Sequence, residues 1–533
     1  MDSSRTKESE LAVGSRLQAI LPSQSKPWYL TGHLLRLNFL LISPLLSSAS
    51  VGYDGSMMNG LQTLVQWREF FGHPQGSVLG LMNVVYPLGK VVSLPLITFV
   101  SDRYGRKIPL AVGLVACIAF AIMQGLAQNF ATFVTARALL GFSTSFVTQP
   151  SPMLITELAY PTHRGKITAL YNTFFYVGSI IAAWCTYGTF KINNNWSWRI
   201  PSIVQGALPI LQVSMIFFVP ESPRYLISKG KVEQARKILV DCHAGGDVDS
   251  PLVEFEMNEI EETLRAESSE LSSTSWLDLI RTPANRRRTL IAVIVGWFSQ
   301  WCGVGVVSYY ITLVLDTIGI TEVKDQTLIN GLLQIFNFLV ASLIGAMLVD
   351  RAGRRKLFLI STAGMLVSYV IWTALSAQFN QTKSQPTGRA VVAFIFVYYF
   401  FYDIAWSPLL QAYSVEIFPY TLRGRGLTVT YLSAFVGLII GNQVNSIALS
   451  NIGWRYYIVF CCLLGLTLVL IWFLFPETKG RTLEEIAEVF EDRNQNHPNN
   501  DFHKGGAAVD DRAEKNECWS QHRETEEISS GSR

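Results

Sequence analysis

The 533 residues are 49% hydrophobic, 12% aromatic and only 16% charged, against roughly 25% charged in an ordinary soluble domain. A net charge of +3 gives no basic surface for nucleic acid. The seven cysteines at 117, 185, 242, 302, 461, 462 and 518 have neither metal-ligand spacing nor a pairing pattern. These figures exclude a soluble enzyme and a metal centre, and no cofactor is expected. No nucleotide loop, metal cluster or nucleophile motif occurs along the chain.

Residues 1–33 are polar, with no apolar core for a cleaved leader, and read as a cytoplasmic tail. Apolar stretches then recur, each long enough for a helix across the hydrocarbon core, which takes about 20 residues. Their expected bounds are 34–54, 77–100, 108–126, 130–152, 167–189 and 199–219. After a polar insert over 221–288 they resume at 289–312, 327–349, 357–377, 389–412, 426–448 and 455–475. The expected fold is therefore all-α, a polytopic membrane protein with twelve transmembrane helices in two six-helix bundles, 34–220 and 289–475.

Within the insert, Val232–Cys242 and Phe255–Ala266 space their apolar residues for amphipathic helices, and 268–275 is a Ser-rich linker. Residues 476–533 form a second tail, polar and disordered after 493. With both ends inside, cytoplasmic segments hold 33 of the 43 Lys and Arg and outer loops hold 7, the sense of the positive-inside rule. Under this topology the sequons at Asn195 and Asn380 fall in outer loops as glycosylation candidates.

The chain repeats itself. Asp102-Arg-Tyr-Gly-Arg-Lys returns as Asp350-Arg-Ala-Gly-Arg-Arg-Lys, 248 residues on; Glu157 with Arg164-Gly165 returns as Glu416 with Arg423-Gly424, 259 on; Pro220-Glu-Ser-Pro-Arg returns as Pro476-Glu-Thr-Lys, 256 on. Three motifs in one order at nearly one offset describe two related halves, with the site expected between them near the midplane. Asp102, Arg106, Glu157, Arg164 and their counterparts Asp350, Arg354, Glu416 and Arg423 are charges at the cytoplasmic ends. They are expected to form ion pairs that knit the two bundles together there, a latch that opens and closes with the cycle.

Together these motifs resemble the sugar porter family of the major facilitator superfamily, over about residues 34–490. Within it the run Gln300-Trp-Cys-Gly-Val-Gly-Val-Val-Ser-Tyr-Tyr is most similar to the fungal branch of lactose and other oligosaccharide permeases. The resemblance implies a carrier with a small-molecule sugar as cargo, working by alternating access in a lipid bilayer and functional as a monomer. A multi-pass location in the plasma membrane follows. The two rival readings are a sugar sensor of the same fold and an exporter of a non-sugar metabolite.

Ionisable groups at membrane depth are expensive and mark function by default. Asp54, placed near the outer end of span 1, and Arg137 in span 4 match positions where proton-coupled members set an acid against an arginine. A proton taken by Asp54 would free Arg137, giving proton-coupled symport; the bland alternative is a static structural pair. Lys90 and Asp403 are also deep and belong to no general motif.

Gln300, Tyr309 and Tyr310 match the family's span 7 motif Q-Q-x-x-G-x-N-x-x-x-Y-Y, in which Ser299 and Gly305 replace two amides. Asn172 on span 5 and Gln411 on span 10 stand where relatives carry cargo ligands, and Asn337 on span 8 lies near another. Asn442 and Asn445 on span 11 are candidates by periodicity alone. The lost amides point away from a standard glucose carrier and toward a wider site, for a hexose or a disaccharide such as lactose or cellobiose.

Overall fold

The computed structural model describes residues 28–271, 275–345, 348, 352–419, 422–479 and 490. Among them, nine helical stretches are long and apolar enough to cross a membrane by length and composition. One, Arg423–Leu474, contains two passes, because the short turn Gly453–Tyr456 separates the helices Arg423–Ile452 and Tyr457–Leu474. Two further passes are the 26-residue helix Arg164–Thr189 and the helix pair Trp196–Val204 and Ala207–Ile216. Together these make the twelve spans that the sequence predicts.

Most spans run past their expected ends. Span 1 covers Gly32–Thr63, span 4 Phe130–Leu158, span 7 Pro283–Thr317 and span 10 Gln385–Ile417. Hydropathy registers only the hydrocarbon layer, whereas backbone hydrogen bonding carries a helix on through the headgroups. The difference matters in two places. Asp54 is not near the outer end of span 1 but nine residues inside it, about 14 Å at the helical rise. Asn380 lies in the last turn of Arg354–Thr382 and not in a loop; Asn195 is exposed at the N-cap of Trp196–Val204.

Spans 1–6 pack on one another, as do spans 7–12. The two bundles meet where span 2 (Gly76–Tyr104) lies on span 11 and where span 5 lies on span 8 (Val323–Ile344). Close approach inside a bundle uses glycine in place of lateral hydrophobic drive. A Cβ on Gly178 would sit 1.7 Å from the Ala49 carbonyl oxygen, and one on Gly52 would sit 1.8 Å from the Phe175 carbonyl oxygen. Spans 1 and 5 are therefore in backbone contact.

The insert carries α1 (Pro223–Ser228), α2 (Val232–His243), α3 (Pro251–Leu271) and α4 (Asp278–Arg281). α2 forms as its apolar spacing predicts, and α3 starts four residues before the expected Phe255, on a proline suited to a first turn. Leu226, Ala235, Leu239, Val240, Val253 and Met257 form their common core. His243 fastens this unit to span 4: its ring nitrogens meet the Glu256 carboxylate at 2.7 Å and the Leu158 carbonyl at 3.1 Å. The tails beyond these residues, with the expected disorder after 493, lie outside the described residues.

Candidate functional site

Asp54 is 3% exposed and Arg137 2% exposed, so neither points into lipid. Arg137 Nη1 donates to Asp54 Oδ1 at 3.1 Å and Nη2 to Oδ2 at 3.4 Å, while Nε donates to the Met82 carbonyl at 2.9 Å. Gln205, at the break in span 6, adds a bond from Nε2 to Asp54 Oδ1 at 3.1 Å. The expected pair thus forms, with one neutral donor that sequence reading missed. A lone glutamine in an apolar span carries no local signal of its partner. Tyr86 lies with its ring 5.6 Å from the Arg137 guanidinium and 4.8 Å from Lys90 Nζ. Lys90 therefore belongs to the same buried cluster, with an aromatic face for its charge.

Between the bundles, side-chain hydrogen bonds gather at the ends remote from the repeated loop motifs, the outer ends of the expected topology. Asn59 Nδ2 donates to the Ser308 carbonyl, and Gln62 Nε2 to the Tyr309 carbonyl at 3.0 Å. Gln443 Nε2 reaches the Ser77 carbonyl at 3.3 Å and Ser446 Oγ the Gly76 carbonyl at 2.8 Å. The outer half of span 7, Val304–Thr317, also packs on span 1, whereas its inner half, Pro283–Trp301, packs on spans 10, 11 and 12.

At mid-depth a further hydrogen bond crosses: Tyr176 on span 5 donates to Asp403 Oδ1 at 2.7 Å and lies 3.2 Å from Ser407 Oγ. Asp403 is fully buried, and its Oδ2 has no hydrogen-bond partner among the described residues. Asn172, one turn inward on the same face of span 5, is exposed. The described hydrogen bonds between the bundles therefore lie at mid-depth and at the ends remote from the repeated loop motifs.

Span 7 breaks at Gly303, whose φ of +102° suits glycine, and again at Tyr310 with φ −140°. Gln300 is half-buried beside the first break, its amide 3.3 Å from Ser299 Oγ. Tyr309 is half-buried at the bundle interface. Tyr310 is different: fully buried, its hydroxyl donates to the Asn442 carbonyl at 2.6 Å. In this conformation its hydroxyl ties span 7 to span 11. Gln411 follows Asp403 and Ser407 at intervals of four residues on one face of span 10 and is half-buried. Asn337 is buried just before a π-helical stretch, Val340–Gly345, with its Oδ1 unpaired.

The inner-end charges pair within bundles. Arg106 lies 3.5 Å from Glu157 and 3.7 Å from Asp102, and Arg354 Nη2 lies 2.9 Å from Glu416, whose other oxygen takes the Thr478 hydroxyl at 2.6 Å. The expected pairs that knit the two bundles together are corrected accordingly. In this conformation each described pair ties helices of one half. Arg164 is exposed, Arg423 is half-buried at the start of span 11, and Asp350 lies outside the described residues.

The motif roles of Glu221 and Glu477 are additions. Glu221 accepts from the backbone N–H groups of Arg106 and Lys107 at 3.0 and 3.2 Å, capping span 3. Glu477 accepts from that of Arg354 at 2.8 Å, capping span 9. Gly105 and Gly353, at φ +91° and +87°, leave room for these carboxylates, which a Cβ would approach to 2.4 and 2.8 Å. The glycine in one repeated motif and the glutamate in another thus form one device, made twice.

Residues 40–490 match the profile of the family described as Sugar (and other) transporter. The chain is 27% identical to the MFS-type transporter oryC of Aspergillus oryzae, with 88% of each covered. It is 28% identical to the hexose transporter HXT10 of Saccharomyces cerevisiae, with 83% of each covered. Among solved structures, the proton:xylose symporter XylE of E. coli, bound to 6-bromo-6-deoxy-D-glucose, superposes with a TM-score of 0.67 at 24% identity, covering 85% of this chain and 99% of that one.

Proposed function

The chain belongs to the sugar transporter family of the major facilitator superfamily, and on that premise we propose that it couples sugar movement to protons by alternating access. It is a multi-pass membrane protein and a carrier, not an enzyme. Sugar is the cargo, in the class of a hexose or a disaccharide such as lactose or cellobiose, and the hexose transporter among its relatives supports that class. The moving units are residues 34–220 and 289–475. Both tails face the cytoplasm, the location is the plasma membrane, and one copy suffices.

The observation that carries the coupling is the buried Asp54–Arg137 pair, held by Gln205 and Met82 in the bundle whose span 1 also makes the outer seal. A proton on Asp54 leaves a neutral acid against a buried guanidinium. Removing one partner of such a pair costs about 3–5 kcal/mol, enough to shift an equilibrium between two packings by a factor of 100 or more. Span 1 runs from Asp54 to Asn59 and Gln62 in two turns, so a change at the pair reaches the seal through one rigid helix. Opening outward breaks the Asn59, Gln62, Gln443 and Ser446 bonds and brings the inner ends together. The charges of Arg106, Glu157, Arg164, Arg354, Glu416 and Arg423, with Asp350, are then in place to act between bundles. Cargo sits between Gln300 and Tyr309 on one side and Asn172 on the other, with Gln411 and Asn337 as further ligands.

The experiment is uptake into proteoliposomes with and without an inward proton gradient, over glucose, galactose, xylose, lactose, cellobiose, inositol and quinate. Asp54→Asn abolishes gradient-driven accumulation and keeps downhill exchange. Undiminished uphill uptake by that variant refutes proton coupling at Asp54.

A further inference from the structure

Gly305 follows the break in span 7, one turn inward of Ser308, whose carbonyl takes the Asn59 bond of the outer seal. Its missing side chain leaves a hollow. A Cβ there would lie 3.1 Å from Asn445 Nδ2 on span 11 and 3.8 Å from the Gln300 carbonyl oxygen. Gly441, one turn before Asn445, faces the Trp301 indole, its notional Cβ 3.5 Å from Trp301 Nε1 and 3.9 Å from the same Asn445 nitrogen.

Asn445 itself is 4% exposed. Its Oδ1 accepts the Tyr456 hydroxyl at 2.7 Å, which turns Nδ2 toward the hollow. That nitrogen makes no hydrogen bond among the described residues. Two glycines, a tyrosine that holds the amide, and an open donor therefore describe a place made for an oxygen atom from outside the protein.

We propose that Asn445 is a cargo-positioning ligand, whose Nδ2 donates to a hydroxyl oxygen of the sugar lodged over Gly305, beneath the outer seal. The amide that span 7 lacks at Gly305 is thereby supplied from span 11. Tyr456 is a positioning residue that acts through Asn445. Because the donor comes from across the helix pair, the space over Gly305 stays free, which suits a hydroxylated ring larger than the one a span 7 amide would admit. This assignment rests on the reading of the chain as a sugar carrier.

The test uses the full chain in proteoliposomes with the sugars that the wild type moves, and monodeoxy analogues of the best of them. Asn445→Ala raises KM about tenfold, the equivalent of one hydrogen bond near 1.4 kcal/mol, with kcat changed less than twofold. In the wild type one deoxy analogue stands out as weak, and in Asn445→Ala that difference disappears. Tyr456→Phe raises KM in the same direction by a smaller factor. Gly305→Asn alone clashes with Asn445 and loses uptake, whereas Gly305→Asn with Asn445→Gly recovers it to within about threefold of wild type.

Unchanged KM in Asn445→Ala, or an equal loss on every deoxy analogue, overturns the assignment. So does a double variant no better than Gly305→Asn. A folded fraction measured by gel filtration accompanies each variant, and the swap keeps the comparison open if either single fails to fold. A wild-type protein that moves no sugar overturns the carrier reading and this assignment together. Sugar uptake with an indifferent Asn445 overturns this assignment alone.

Discussion

Neutralising one side of the Asp54–Arg137 pair is a stability experiment as well as a transport one. In Asp54→Asn the guanidinium, 2% exposed, keeps the Met82 carbonyl at 2.9 Å but loses both charged contacts. An uncompensated buried charge of this kind costs about 3–5 kcal/mol. The unfolding entropy is about 2.1 cal/mol/K per residue. Over the roughly 450 residues of the family match, the loss lowers the melting temperature by about 3–5 °C. Arg137→Met strands the carboxylate and has a similar effect. The double variant leaves neither member of the pair stranded and recovers most of the loss, so the coupling energy exceeds about 2 kcal/mol. Tryptophan-fluorescence melts in one detergent, at one scan rate, measure all four proteins. Single variants that each shift the melt by under 1 °C, and that add in the double, refute the reasoning, because they show the pair to be solvated.

Gly178→Leu drives a side chain into the Ala49 carbonyl of span 1; the folded yield in detergent falls severalfold, while Gly188→Ala, with open space around it, leaves it unchanged. At the outer seal, a Cβ on Gly80 lies 3.3 Å from Gln443 Cα. Oxidised Gly80→Cys/Gln443→Cys therefore locks the outer side shut, and uptake stops until reductant is added; uptake that continues after complete crosslinking refutes the proposed opening of this seal. Glu416→Gln weakens bonds to Arg354 and Thr478, partly exposed, at about 1 kcal/mol, and slows turnover more than Glu157→Gln, whose arginine stands at 3.5 Å. Burial, with Asp241 adjoining, pushes the Cys242 thiol up to about 11. The reactive thiolate is thus scarce at neutral pH and becomes abundant only near that value, so maleimide labelling of Cys242 rises about tenfold per pH unit from 7 to 9; a plateau below pH 9 contradicts this.

What could be read from the chain alone followed from local physics. Spans were legible because a hydrocarbon layer demands about 20 apolar residues per crossing. Their ends were not, since Ser56, Asn59 and Gln62 depress hydropathy while the helix continues to Thr63. The duplication was legible because the same loop geometry needs the same glycine, arginine and glutamate each time. Asp54 and Arg137 stood out because charge at that depth has few uses. By contrast, Gln205, Tyr176 and Tyr456 act across distances that no local pattern encodes, and periodicity marked Asn445 without its partners.

The sequence by itself determined the twelve-helix architecture, the paired halves and the buried acid–base couple, each a response to solvent or membrane along a short stretch. Only the tertiary structure decided that Arg106 and Arg354 pair within their own bundles, that the Tyr310 hydroxyl meets the Asn442 carbonyl, and that an amide from span 11 stands over the bare Gly305. Those facts depend on which faces of distant helices meet, and that is settled by packing between spans rather than by the hydropathy of any one of them.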